Sequence, residues 1–278
     1  MTYFNEQPLG APIGTEIVDL DLSEPLSDRA FAALGEAFAR HPVLAFRGQT
    51  LAADRMSAFA RRFGPIMAGV DPKYRHPDTP EISFLTNVDQ DGGVDQFGAR
   101  RASAWHYDGS FSTAPPAAAM LYGIELPAIG GGTEFADTAR ALERLPAALR
   151  QRIEGLQTVN HFGLGPEGRD YYDGLTPERW GQYRPVRKPL ILAHPKTGRP
   201  GLSFCMIHTA GIAGMRHGEA AELLRELLAH VAQTDNVYYH RWRPGAVVLW
   251  DEHATMHRNA GDFPPAQRRI MLRAMMLP

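Results

Sequence analysis

Cysteine is almost missing from this chain, with one residue, Cys205, in 278. A lone thiol excludes an intrachain disulfide and every metal site built from several thiolates, zinc fingers and iron–sulfur clusters included. Any bound metal therefore falls to carboxylates and to the eleven histidines. Long apolar runs are missing as well. No stretch reaches about 18 apolar residues, so no transmembrane helix is expected. The opening MTYFNEQPLGAPIG lacks a basic segment followed by an apolar run, so no signal peptide is expected, and a cytoplasmic protein is the default. An excess of one charge is also missing: 29 Lys and Arg against 31 Asp and Glu leave a formal charge of -2. That balance gives no bulk reason to bind nucleic acid or an anionic membrane. Glycine and proline, 27 and 22 residues, stay below the combined share of roughly 25–30% that marks disorder.

What is present reads as one β-rich domain over residues 1–278. A helix is expected over Asp28 to Arg40, capped by Ser27 and ended by Pro42, and a second over about Ala52 to Phe63. Two more are expected over about Thr138 to Glu154 and Glu219 to Ala232. Some ten short strands, among them Ala104–Phe111, Ala118–Leu126, Ala246–Trp250 and Arg268–Leu277, surround these helices. The pattern suggests a closed or double-layered β architecture such as a jelly roll. The polar segment 163–188, rich in Gly, Pro and Tyr, has the length of a lid over a site.

Three segments carry candidate chemistry. In Trp105-His106-Tyr107-Asp108 the imidazole and carboxylate are two apart, which on a strand puts both on one face. Such a pair can bind one cation or form a surface ion pair, and alone it does not decide between them. His257 follows a buried strand in Trp250-Asp251-Glu252-His253-Ala254-Thr255-Met256-His257. The terminal strand Arg268-Arg269-Ile270-Met271-Leu272-Arg273 places Arg269 and Arg273 on one face and Arg268 on the other. An apolar strand does not bury guanidinium groups without an anion to pair with them.

Together with Gly131-Gly132-Thr133-Glu134-Phe135-Ala136-Asp137 and His194-Pro195-Lys196-Thr197-Gly198-Arg199, these segments resemble the taurine/2,4-dichlorophenoxyacetate dioxygenase (TauD/TfdA) family of Fe(II)/2-oxoglutarate oxygenases, over nearly the whole chain. The resemblance implies a mainly β fold with flanking helices around a double-stranded β-helix, the jelly-roll core also called cupin-like. It implies Fe(II) held by His106, Asp108 and His257, with 2-oxoglutarate and O2 as cosubstrates. By the same resemblance, Arg269 and Thr133 bind the far carboxylate of 2-oxoglutarate, and Arg273 grips a small anionic organic substrate. Tyr74 is placed to line the substrate pocket. Asp108 argues against a halogenase, and homo-dimers or homo-tetramers are common among relatives. The asparagine and histidine of taurine-specific relatives are absent, and Glu252-His253 stands where Asn-Arg is usual. Two other readings are carried: an oxygenase of the same fold acting on a free or carrier-tethered amino acid, and a cupin-like metal-binding protein without oxygenase activity.

Overall fold

The computed structural model describes residues 3–10, 13–69, 71–89, 91–95, 98, 102–168 and 183–278. Strands β1 (Asn5–Pro8) and β2 (Gly14–Val18) precede helix α1 (Asp28–Arg40), strand β3 (Val43–Phe46) and helix α2 (Ala53–Ala60). Strands β4 (Ser83–Thr86) and β5 (Ala118–Glu125) flank the long segment that carries His106 and Asp108. Then come β6 (Thr133–Asp137), α3 (Thr138–Glu143), α4 (Ala147–Ile153), β7 (Gln157–Asn160), β8 (Val186–Pro189), β9 (Ile191–Ala193), β10 (Pro200–Leu202) and β11 (Thr209–Ile212). Helix α5 (His217–Val231) leads into β12 (Val237–His240), β13 (Val247–Asp251), β14 (Thr255–Asn259) and β15 (Ile270–Met276).

Seven strands form the main sheet in the order β1-β2-β3-β13-β5-β15-β4, and three form a second sheet, β12-β6-β14. Between them lies a core of Ala45, Leu121, Phe135, Val248, Trp250 and Met271, drawn from both sheets. Burying a side chain such as Phe135 contributes roughly 1.5–3 kcal/mol. The other face of the main sheet is covered by the first two helices, whose Leu34, Met56 and Phe59 pack on Phe46, Met120, Leu249 and Leu272. Leu142, Leu149, Leu223 and Leu227 of α3, α4 and α5 pack with Ala136 of β6 and Met256 of β14. This is the mainly β, jelly-roll arrangement that the sequence implies.

Several expected elements differ. The single helix over 138–154 is two, because Pro146 has no N–H to continue the first, and the second starts directly after it at Ala147. Ala104–Phe111 is not a strand: only His106 makes a β-bridge, to His257, and a turn begins at Asp108. Of the expected lid over 163–188, residues 169–182 lie outside the described residues. Its end is a strand instead, since β8 pairs antiparallel with β7. Among the described residues no helix is long and apolar enough to cross a membrane.

Candidate active site

His106 and His257 face each other across two antiparallel backbone hydrogen bonds, His106 N to His257 O at 3.0 Å and His257 N to His106 O at 2.7 Å. This bridge fastens the 104–108 segment to the edge of β14. Asp108 is then presented by a turn rather than by strand alternation. Gly109 makes that turn at φ +69°, and a Cβ there would stand 2.5 Å from Pro116 Cδ. Left-handed backbone costs a non-glycine residue about 1–3 kcal/mol. Gly109→Ala should therefore lower the thermal midpoint by several degrees and weaken Mn(II) binding through Asp108. Thermal scans with and without Mn(II) check this, and an unchanged midpoint would show that the turn tolerates a side chain.

The hydrogen bonds also settle which ring nitrogens are available. His106 Nδ1 lies 2.8 Å from the Ala104 carbonyl, which only accepts, so Nδ1 carries the proton. His106 Nε2, 3.8 Å from Asp108 Oδ1, keeps its lone pair. His257 Nδ1 is buried without a hydrogen-bond partner among the described residues. Burial first, and then His106, hold the His257 pKa well below its ordinary value, which keeps the ring neutral. One ligand atom from each of His106, Asp108 and His257 fits within 4.8 Å of the others.

Both expected arginines reach the same cavity, whose lining includes His106, Asp108, Thr133, His257, Arg269 and Arg273. Arg269 lies immediately before β15, where a bulge between Ile270 and Met271 shifts the register against β5. Its guanidinium is buried, with Nε donating to the Gly131 carbonyl at 3.0 Å and Nη2 3.4 Å from Thr133 Oγ1. Burial pushes its pKa down to about 10, so it stays charged at neutral pH, with no carboxylate in salt-bridge range among the described residues. Arg273 Nη1 stands 3.5 Å from Asp108 Oδ2, and Arg273 Nε is buried without an acceptor. Arg268 points away to solvent and pairs with Glu125 at 2.8 Å, as strand alternation requires.

A His/Asp/His set beside two inward arginines is the arrangement that the sequence resemblance implies, and comparison with known proteins decides the family. The family model described as taurine catabolism dioxygenase TauD, TfdA family matches residues 5–275. The chain belongs to this family. It is 33% identical to the alpha-ketoglutarate-dependent 2,4-dichlorophenoxyacetate dioxygenase of Cupriavidus pinatubonensis, covering 97% of this chain and 96% of that protein. It is 30% identical to the alpha-ketoglutarate-dependent sulfate ester dioxygenase of Pseudomonas putida, covering 95% and 88%. Among solved structures, AAD-2 in complex with Mn(II) and N-oxalylglycine aligns with a TM-score of 0.86 at 27% identity, covering 100% of this chain and 97% of that one. This TauD/TfdA-family chain is an Fe(II)/2-oxoglutarate-dependent dioxygenase that uses O2. The donor set fits the metal: two neutral imidazoles and one carboxylate suit Fe(II) and leave positions open for a cosubstrate.

Three parts of the dioxygenase site differ from expectation or were missed. Tyr74 is not among the described residues lining the cavity. Its buried hydroxyl donates to Asp95 Oδ2 at 2.5 Å, and Asp95 Oδ1 accepts from the N–H of Gly98, which does line it. The expected pocket aromatic thus acts from behind, on a carboxylate that holds the wall. Asn87 was missed because it closes an unremarkable strand. Its Oδ1 accepts from Arg269 N at 2.7 Å and its Nδ2 donates to the carbonyls of Pro265 and Gln267, which fixes the entry to β15. Glu252 was noticed only as a departure from Asn. It is fully buried beside the metal set, and burial, followed by the charge of Asp108, holds its carboxyl well above the ordinary range.

Elsewhere among the described residues, His194, Asp251 and His253 also lie within 4.8 Å of one another. His194 Nδ1 accepts the N–H groups of Lys196 and Thr197, both at 3.1 Å. The proton therefore sits on Nε2, which donates to Asp251 Oδ2 at 3.0 Å. Asp251 Oδ1 accepts from the N–H groups of His253 and Ala254. No His194 lone pair remains for a cation, so this cluster fastens the 194–199 hairpin to the end of β13.

Proposed function

We propose that this dioxygenase hydroxylates a small organic anion, with cleavage of the hydroxylated product where the new hydroxyl sits next to an ether or ester oxygen. The observation that carries the reading is the convergence of a buried guanidinium, Arg269, and a partly buried one, Arg273, on the cavity that also holds His106, Asp108 and His257. One cation suffices for the far carboxylate of 2-oxoglutarate; Arg273 faces Asp108 through Nη1 at 3.5 Å, but its Nε has no acceptor among the described residues and can take a second anion. Relatives named for 2,4-dichlorophenoxyacetate and for sulfate esters support the class.

In this reading His106, Asp108 and His257 hold Fe(II), which when bound supplies O2 activation coupled to loss of CO2 from 2-oxoglutarate. Arg269 receives the far carboxylate by a planar, two-pronged contact, and Thr133 adds a hydroxyl beside it. Thr133 Oγ1 already accepts from Trp242 Nε1 at 2.9 Å, which fixes the direction of its own O–H. Arg273 orients the anionic end of the primary substrate, and Leu85, Leu121 and Phe263 offer an apolar wall for the remainder. A free amino acid is less well served, because its ammonium group would enter a cavity that already contains two cations.

Succinate release tests the reading against a panel of aryloxyalkanoates, alkyl sulfates, alkylsulfonates and amino acids. Arg273→Ala should raise KM for the accepted anion by roughly 10- to 150-fold, the value of a charge-assisted hydrogen bond. Turnover of 2-oxoglutarate without primary substrate should persist. Equal loss of both activities would reassign Arg273 to the cosubstrate or to the fold.

A further inference from the structure

The side chain of Glu252 stands behind the proposed metal ligands rather than in the cavity with them. Its Oε1 accepts from Trp250 Nε1 at 2.8 Å, and its Oε2 accepts from the backbone N–H of Asp108 at 2.9 Å. The same Oε2 stands 4.0 Å from His257 Nδ1, the buried ring nitrogen without a hydrogen-bond partner among the described residues. Glu252 is held in turn: its own N–H donates to Ala117 O at 3.1 Å, and Asp251 Oδ1 pins the two residues that follow it.

We propose that Glu252 is a positioning residue that couples two of the three metal ligands, holding the Asp108 main chain and orienting the His257 ring through one carboxyl oxygen. The inference rests on His106, Asp108 and His257 being the metal set. A histidine that ligates through Nε2 must carry its proton on Nδ1, and such a proton is normally taken by a carboxylate or carbonyl. Here Glu252 Oε2 is the acceptor at hand. Three N–H groups then face this side chain: the Trp250 indole and the Asp108 amide, which are hydrogen-bonded to it, and the His257 ring, whose Nδ1 stands 4.0 Å away. As a carboxylate, the form favoured once a bound cation offsets the Asp108 charge that raises it, Glu252 offers two oxygens that only accept. A glutamine offers one oxygen and turns its NH2 against one of the three donors.

The test compares wild type, Glu252→Gln and Glu252→Ala as purified full-length chains, with Mn(II) binding followed by electron paramagnetic resonance of the free ion. Both variants should bind Mn(II) about 10- to 100-fold more weakly, the usual cost of losing a group that orients a ligand. In Glu252→Gln, the visible charge-transfer band formed anaerobically with Fe(II) and 2-oxoglutarate should also shift in energy, since the electron-donating power of His257 changes. A merely structural role would reduce the band's height and leave its position alone. If the alanine variant fails to fold, the glutamine variant carries the test by itself. Mn(II) affinity within twofold of wild type and an unmoved band would overturn the proposal. If wild type itself does not bind Mn(II), the metal set fails instead, and the two failures are told apart.

Discussion

His257→Ala should abolish succinate formation that depends on added Fe(II). The loss of Mn(II) affinity should exceed the roughly 10- to 100-fold that removal of an orienting group costs, because a direct ligand is gone. The neighbouring geometry supplies no substitute. His106 lies across the bridge and would serve the same ion, Glu252 already accepts from Asp108 and Trp250, and His253 belongs to the Asp251 cluster. The backbone bridge to His106 does not use the imidazole, so the variant should fold. Its circular dichroism spectrum should match wild type while binding and turnover vanish. Succinate release at the wild-type rate would remove His257 from the metal set.

Arg269→Ala should weaken 2-oxoglutarate by about 2–4 kcal/mol, or roughly 30- to 1,000-fold in Kd. The size follows from burial. The guanidinium is out of water, with only neutral partners among the described residues, Gly131 O and Thr133 Oγ1, so an incoming carboxylate supplies the missing counter-charge. Removing it leaves that carboxylate desolvated and uncompensated. Arg269→Lys should recover part of the affinity, since it restores the charge without the planar fork. Titration followed by the anaerobic charge-transfer band measures both variants. An unchanged Kd for the alanine variant would reject Arg269 as the cosubstrate residue.

The readable parts of the site are those whose chemistry contradicts their local setting. Arg269 and Arg273 stand out in an apolar terminal strand, and the side to which each points follows from period-two alternation; the bulge at Ile270 does not undo it. The histidines and Asp108 are readable from motif and order along the chain, although the local structure expected for them is wrong. A strand and a turn can both bring residues i and i+2 together, and the turn is favoured here by Gly109. Strands β1 and β14 were missed for another reason. Asn5–Pro8 is exposed throughout, and Thr255–Asn259 is short and largely polar, so neither carries an apolar period. Glu252 is illegible in principle: its meaning depends on an amide 144 positions away and on a ring that only the fold delivers.

The order of the main sheet bears on how the enzyme is made. β5 pairs with β13 on one side and β15 on the other, and both are synthesised long after it. Until β13 has left the ribosome, β5 has neither neighbour, and its run Ala118-Ala119-Met120-Leu121 stays without a sheet. His257, Arg269 and Arg273 follow later still. From the synthesis of β5 to that of β13, the nascent chain therefore carries an unpaired apolar strand, and His106 and Asp108 lack the proposed third ligand. Contacts of such long sequence separation form slowly and expose sticky intermediates. Emergence of β13 to β15 is then the event that closes the sheet and completes the proposed metal-binding set at nearly the same moment.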